Sequence, residues 1–160
     1  MSPDDRARVG EILRGTGHFR EKEVEVALEL FDGGFGIGGL ALDLDYQFVG
    51  AYGASGELLG YANYGPTPHT DRTWDLYWIA VAREAHGKGV GSALLAEVER
   101  RLKEAGARLL LIETSSRTDY DATRGFYVAR GYTEQARIRD FYAPDDDRVM
   151  LTKTLYPDAR

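Results

Sequence analysis

Residues 74–105 read WDLYWIAVAREAHGKGVGSALLAEVERRLKEA. Asp75 to Val81 is dense in aromatic and β-branched residues, the composition of a strand inside a sheet. Ala82–Ala85 and the run His86-Gly87-Lys88-Gly89-Val90-Gly91-Ser92 follow. Leu94, Leu95, Val98 and Leu102 then recur at helical spacing, which leaves Glu97, Glu99, Arg100, Arg101 and Lys103 for the wet side. Gly106 reads as the C-cap. Three glycines at alternate positions bring the backbone close to a ligand with no Cβ in the way. The amides of this turn and of the first helical turn then face an anion, phosphate above all.

Glycines before a helix serve several motifs, and the spacing separates them. A P-loop ends Gly-Lys-Ser/Thr, whereas Gly87-Lys88 runs into Gly89. A dinucleotide fingerprint starts its glycines close to the strand end; here Ala82–Ala85 intervenes and Ser92 holds the third position. The stretch resembles the acetyl-CoA-binding motif of the GNAT N-acetyltransferase superfamily, an Arg or Gln, two residues, Gly, one residue, then Gly or Ala. This chain supplies His86-x-x-Gly89-x-Gly91, with histidine as the departure. A second segment, Thr123 to Tyr132, resembles the late signature of that superfamily at Phe126-Tyr127 and Gly131-Tyr132. The usual Asn and Ala positions fall on Tyr120 and Thr123.

The chain's 160 residues suit one domain, and 43% hydrophobic residues supply a core. No cysteine is present, which removes disulfides, thiolate metal sites and a cysteine nucleophile, and suits a reducing cytoplasm. No apolar run approaches a membrane span, and Met1–Asp5 does not read as a signal peptide. The net charge of −6 argues against nucleic acid and towards a cationic or neutral substrate. His18, His69 and His86 lie too far apart for metal-ligand spacing, so no metal is expected.

Two helices are expected first, Pro3–Arg14 with Val9, Ile12 and Leu13 inward, and Arg20–Phe31 with a Val24, Ala27, Leu28, Phe31 stripe. Gly15-Thr16-Gly17 should break the first. Asp32 to Gly39 is glycine-rich and reads as a mobile loop, either a lid over the acceptor side or a surface loop. Tyr46–Ala51 and Leu58–Tyr64 form a hairpin, Arg108–Glu113 a buried parallel strand, and Thr114–Tyr120 a polar loop. Asp121–Arg130 is a helix closed by Gly131, and Thr133–Tyr142 and Arg148–Leu155 are the last strands. The acidic turn Asp145–Asp147 reads as solvated. This order implies an α/β (α+β) GNAT-like domain over residues 1–160. Its central sheet is mixed, mostly antiparallel and splayed at its middle, helices flank it, and the family's usual first strand is missing.

The resemblance also implies chemistry. Tyr127 would protonate the departing coenzyme A thiolate, a phenol of pKa roughly 10 against a thiol of about 8.5. Ile79, Ala80 and Val81 would hold the pantetheine arm through the backbone, an amide near Ile79 polarising the thioester carbonyl. His86, Gly87, Lys88, Gly89, Val90, Gly91 and Ser92 would bind the pyrophosphate, Ser92 also capping the helix, and Phe126 would add a further cofactor contact. Alternation sends Asp75, Tyr77, Ile79 and Val81 to one face of the central strand. Asp75 or Glu113 would be general base, substrate anchor or solvated charge, with Asp75 preferred as the base. Tyr77, Glu113, Tyr120, Asp140 and Tyr142 are the substrate-binding candidates, with Asp119 beside them. The reading is acetyl-CoA-dependent transfer of an acetyl group directly to a primary amine, on a small molecule or a protein. No nucleic acid or membrane partner is expected, and late strands that often mediate dimers in the superfamily make a homodimer a candidate state. A nucleotide-binding enzyme using the same turn, and a catalytically inactive acyl-CoA sensor, are the alternatives.

Overall fold

The computed structural model describes residues 1–39 and 45–156. Its α-helices are α1 (Arg6–Thr16), α2 (Glu21–Phe35), α3 (Val90–Glu104) and α4 (Asp121–Val128). The strands are β1 (Gln47–Tyr52), β2 (Leu58–Pro66), β3 (Thr73–Val81), β4 (Leu109–Ser115), β5 (Thr133–Ala143) and β6 (Asp146–Thr154). Hydrogen bonding orders the strands β1-β2-β3-β4-β6-β5. β3 and β4 run parallel, while β1–β2, β4–β6 and β5–β6 are antiparallel. This is the mixed, mostly antiparallel sheet expected. The first strand among the described residues begins at Gln47, after two helices, so the family's opening strand is missing there.

The chain divides into two compact units, Met1–Gly65 with Tyr77–Arg101, and Pro66–Leu76 with Leu102–Arg160. In the first, the apolar stripes of α1 and α2 meet as their spacing dictates. Val9, Ile12 and Leu13 cluster with Val24, Ala27, Leu28 and Phe31, and with Leu58, Tyr61 and Ala80 of the strands. Both helices outrun their expected ends. Gly15 and Thr16 stay helical, and Gly17 alone stops α1 in the left-handed region at φ 71°. α2 continues through Asp32-Gly33-Gly34 to Phe35, so the expected mobile loop or lid is a helix that Gly36 closes, followed by a short 3-10 turn at Ile37–Gly39. The reason is packing. The rings of Phe31, Phe35 and Phe48 meet at centroid distances of 4.6, 5.3 and 5.2 Å. A Cβ on Gly34 would stand 2.3 Å from the Phe48 ring, so glycine is what lets α2 lie against β1.

β3 does not alternate throughout. Phe48 is paired with Asn63 and faces α2. Gly65, two residues after Asn63 in β2, shares that side, where a Cβ built on it would stand 3.0 Å from the Tyr77 ring. Tyr77 meets Tyr46 at 5.9 Å, and the next residue, Trp78, meets Phe19 just ahead of α2 at 5.0 Å. Two consecutive side chains on one side of a strand mark a bulge. The flanking bonds agree. Between Thr67 N–H to Thr73 carbonyl and Ala82 N–H to Leu59 carbonyl, β3 holds one residue more than β2. The single face expected for Asp75, Tyr77, Ile79 and Val81 is therefore corrected: Ile79 and Val81 point to the side opposite Tyr77.

In the second unit Thr73 to Leu76 pair in parallel with Leu109 to Ile112, and β4 runs on through Ser115 into what was expected to be loop. Leu110 and Ile112 are buried, Leu109 and Leu111 half-buried. Val149 and Leu151 of β6 join them in the interior. β5 has ten exposed positions among its eleven residues, with Ile138, Phe141 and Tyr142 the large apolar side chains among them. The Asp145–Asp147 turn is not merely solvated, because β6 begins at Asp146. Asp146 is buried and accepts the Ser115 hydroxyl, while Asp147 accepts from the Asp140 amide and pairs with Arg137. Those donors hold the Asp147 carboxyl below its ordinary value.

Along α3, Leu94, Leu95, Val98 and Leu102 are buried as their spacing requires. Glu99, expected on the wet side, is 9% exposed and belongs to the covered face. Gly106 ends the helix at φ 74°, with its N–H to the Lys103 carbonyl and the Ala107 N–H to the Leu102 carbonyl.

Candidate functional site

In the first unit β3 ends at Val81, a short 3-10 turn spans Arg83–Ala85, and α3 starts at Val90. Between them Gly87 and Gly89 adopt φ of 72° and 80°, a region that costs any residue with a Cβ. A Cβ built at either would meet nothing within 4 Å, so these glycines are demanded by backbone shape and stand over open space. The Ala85, His86 and Lys88 amides turn back to the Ala82, Arg83 and Ala85 carbonyls. The first helical bond of α3 runs from the Ala93 N–H to the Gly89 carbonyl. The amides of Gly89, Val90, Gly91 and Ser92 thus precede the helical ladder, where the macrodipole is positive. Gly89 occupies the cap position, and Ser92 lies inside the first turn, which corrects its expected role as the cap.

His86, the departure from the motif, does structural work. Its Nε2–H donates to the Val81 carbonyl at 2.9 Å and ties the turn to the end of β3. Lys88 is exposed between the two left-handed glycines. Ile79 and Val81 are half-buried and Ala80 is buried. Tyr77 is 39% exposed, with its ring against Tyr46 and beside Gly65.

The second unit carries the other candidates. Tyr127 lies in the last turn of α4, 3% exposed, its ring edge-on to Phe126 at 5.2 Å and Tyr132 at 5.6 Å. The signature around it is a helix ending. Gly131, at φ 86°, donates to the Val128 carbonyl, Tyr132 donates to the Tyr127 carbonyl, and the two tyrosine rings supply the apolar contact of that cap. Burial pushes the Tyr127 hydroxyl above its ordinary pKa of 10, so it keeps its proton at neutral pH. Arg130 stacks on the Phe126 ring at 3.7 Å and donates to the Phe126 carbonyl.

Asp75 is half-buried and accepts the Thr67 hydroxyl at 2.7 Å. Glu113 is held by Arg148, whose guanidinium also covers the Phe141 ring at 4.9 Å. Tyr120 precedes α4 with Arg117 over its ring at 5.9 Å, and Arg117 also pairs with Asp119. Asp140 sits at φ 51° and accepts the Asp145 amide, so it shapes the β5–β6 turn. Tyr142 is exposed beside Phe141. Thr67 and Arg148 were not singled out in the sequence. A threonine between two prolines just before the central strand was the available signal for Thr67. Nothing local pointed to Arg148, which reaches Glu113 across the β4–β6 pair. Among the described residues no group of three His, Asp or Glu is placed to hold a metal ion, and no helix is long and apolar enough to cross a membrane.

The model of the acetyltransferase (GNAT) family matches residues 17–132, which include both the glycine turn and the Phe126–Tyr132 cap. The chain belongs to the GNAT family. Its GNAT fold is shared with a solved protein from Desulfovibrio desulfuricans described as a GNAT-family acetyltransferase. That protein is 40% identical, with a TM-score of 0.89, covering 96% of this chain and 94% of the other. An aminoglycoside 6'-N-acetyltransferase complexed with coenzyme A aligns at 16% identity and a TM-score of 0.76, over 99% of this chain and 95% of its own. A Salmonella typhimurium structure described as an acetyltransferase with its cofactor acetyl-CoA aligns at 19% identity and 0.73, over 100% and 96%. No curated protein matches the sequence. At such identities the last two establish the GNAT fold alone.

Proposed function

We propose that this GNAT protein is an acetyl-CoA-dependent N-acetyltransferase that moves the acetyl group directly from the thioester to a primary amine. The observation that carries the reading is the pair of left-handed glycines, Gly87 and Gly89, ahead of the α3 amides. They form a cradle with no Cβ, suited to a pyrophosphate. His86, Lys88, Val90, Gly91 and Ser92 are the further proposed pyrophosphate contacts of this turn, and Phe126 stays a proposed cofactor contact. Ile79, Ala80 and Val81 offer backbone groups for the pantetheine arm. The bulge at Tyr77–Trp78 supports this, since it breaks the ladder next to Ile79. Acetyl-CoA supplies the activated acyl group. Asp75 takes one proton from the substrate ammonium, the amine nitrogen forms its bond to the acyl carbon as the carbon–sulfur bond breaks, and Tyr127 gives its proton to the sulfur. The second proton that the nitrogen sheds on becoming an amide restores the Tyr127 hydroxyl. Direct transfer is favoured because the chain has no cysteine and Ser92 lies in the anion turn.

The acceptor amine is carried by a small molecule or a protein, and the net charge of −6 favours a cationic one. Tyr77, Glu113, Tyr120, Asp140 and Tyr142 stay the proposed acceptor contacts, although Glu113 and Asp140 have structural partners to release. We read residues 1–160 as one catalytic domain, since the family match takes in residues of both compact units. A homodimer through the exposed β5 belongs to the same reading and is checked by light scattering.

Two measurements test the function. Coenzyme A should raise the melting temperature while NAD and ATP do not. Free thiol should appear when acetyl-CoA is mixed with a panel of amines. Stabilisation by NAD or ATP instead would make the turn a nucleotide site, and binding without thiol release from any amine would leave a sensor.

A further inference from the structure

We infer that Thr67 is a positioning residue for Asp75, holding the carboxylate so that one oxygen stays open to receive the proton of the acceptor ammonium. This rests on the reading of Asp75 as the base. The Thr67 hydroxyl donates to Oδ2 of Asp75 at 2.7 Å in a partly buried setting. That bond occupies one carboxylate oxygen and restricts rotation of the group, which leaves Oδ1 as the place where the new O–H bond forms when the N–H bond breaks. Thr67 itself neither gains nor loses a proton in the step.

Thr67 is well placed to hold another side chain because it is itself held. Pro66 and Pro68 flank it, and a residue ahead of proline is kept to extended backbone. Its N–H donates to the Thr73 carbonyl at 2.9 Å, and its own carbonyl accepts the Thr70 hydroxyl at 2.7 Å. Thr73 is in turn fixed, since its hydroxyl oxygen accepts from Arg108 at 3.3 Å while the Arg108 N–H donates to the Arg72 carbonyl at 2.8 Å. The β-branch stiffens χ1 and aims the hydroxyl. All three polar groups of Thr67 are therefore engaged: its main chain is tied to Thr73 and Thr70, and its one side-chain group reaches Asp75. A threonine that served only to close the turn would not need its hydroxyl on a carboxylate of the next strand.

The test uses the full chain, acetyl-CoA, and whichever of spermidine, tyramine and an alanine-terminated peptide the wild-type protein acetylates fastest. Thr67→Val removes the donor and keeps the shape. It should lower kcat roughly ten- to hundredfold, the range for losing a hydrogen bond to a charged group, with KM for acetyl-CoA unchanged. Thr67→Ser should restore turnover. In an Asp75→Asn background Thr67→Val should cost nothing further. Wild-type kcat in Thr67→Val, or the same fold loss in both backgrounds, would overturn the inference. Should the valine variant not fold, Thr67→Ala is read the same way. Wild-type turnover and pH profile in Asp75→Asn would instead remove the base, a failure distinct from that of Thr67. No turnover of any of the three amines would remove the transferase reading beneath both.

Discussion

Replacing Gly89 by alanine adds one methyl group to the turn before α3, and the structure sets what it should cost. The residue sits at φ 80°, and an added Cβ finds no atom within 4 Å, so no clash contributes. What remains is left-handed backbone strain, roughly 1–2 kcal/mol. For a domain of this size that lowers Tm by roughly 2–8 °C. The larger effect is on the ligand. At a hundredfold excess over its Kd, coenzyme A should stabilise the wild-type protein by about 2.7 kcal/mol. A methyl group in the open space where the pyrophosphate is proposed to lie should remove most of that gain. Gly15 is the control, since it is helical within α1 and its Cβ would also meet nothing. Gly15→Ala should stabilise by about 0.5–1 kcal/mol and keep the full ligand shift. Thermal unfolding of the three proteins with and without coenzyme A reads both effects. A Gly89→Ala protein that keeps the wild-type ligand shift would refute the cradle.

Tyr127→Phe should keep the fold, because the ring contacts remain, and lower kcat by roughly 10²–10⁴, as loss of a proton donor does; unchanged turnover would reduce Tyr127 to packing. Tyr61 is buried in the first unit with its hydroxyl unpartnered, so Tyr61→Phe should stabilise by roughly 1–3 kcal/mol in chemical denaturation. Burial raises the Tyr61 and Tyr127 hydroxyls above 10 in the folded chain. The unfolded chain ionises first, so stability should be full below about pH 10 and fall as pH climbs towards the folded values, less steeply in Tyr61→Phe. In α2, Gly34→Ala should destabilise by about 1–3 kcal/mol through the Phe48 ring, while Gly33→Ala, with open space around it, should stabilise by about 0.5–1 kcal/mol. Equal shifts for the two would contradict the packing that carries α2 past its glycines.

Much of the fold was legible because its signals are local. The helical spacing of Val9, Ile12, Leu13 and of Val24, Ala27, Leu28, Phe31 needed no partner to be read, and the same holds for the caps at Gly106 and Gly131. The glycine turn was legible for the same reason: Gly87 and Gly89 carry their demand in their own dihedral angles. What escaped depends on contacts distant in sequence. Helix α2 survives its glycines only because Phe48 is waiting. The β3 bulge appears only when β2 is laid beside it, and strict alternation therefore misplaced Ile79 and Val81. Glu113 looked like an open carboxylate until Arg148 was brought across from β6. Asp146 looked solvated until Ser115 was brought to it.

A crystal of the protein grown with acetyl-CoA puts the central claim to its most direct test. The account predicts pyrophosphate density over the N-terminus of α3, within hydrogen-bonding distance of main-chain amides between Gly87 and Ser92. Density for that group elsewhere on the protein, with this turn left empty, would contradict it.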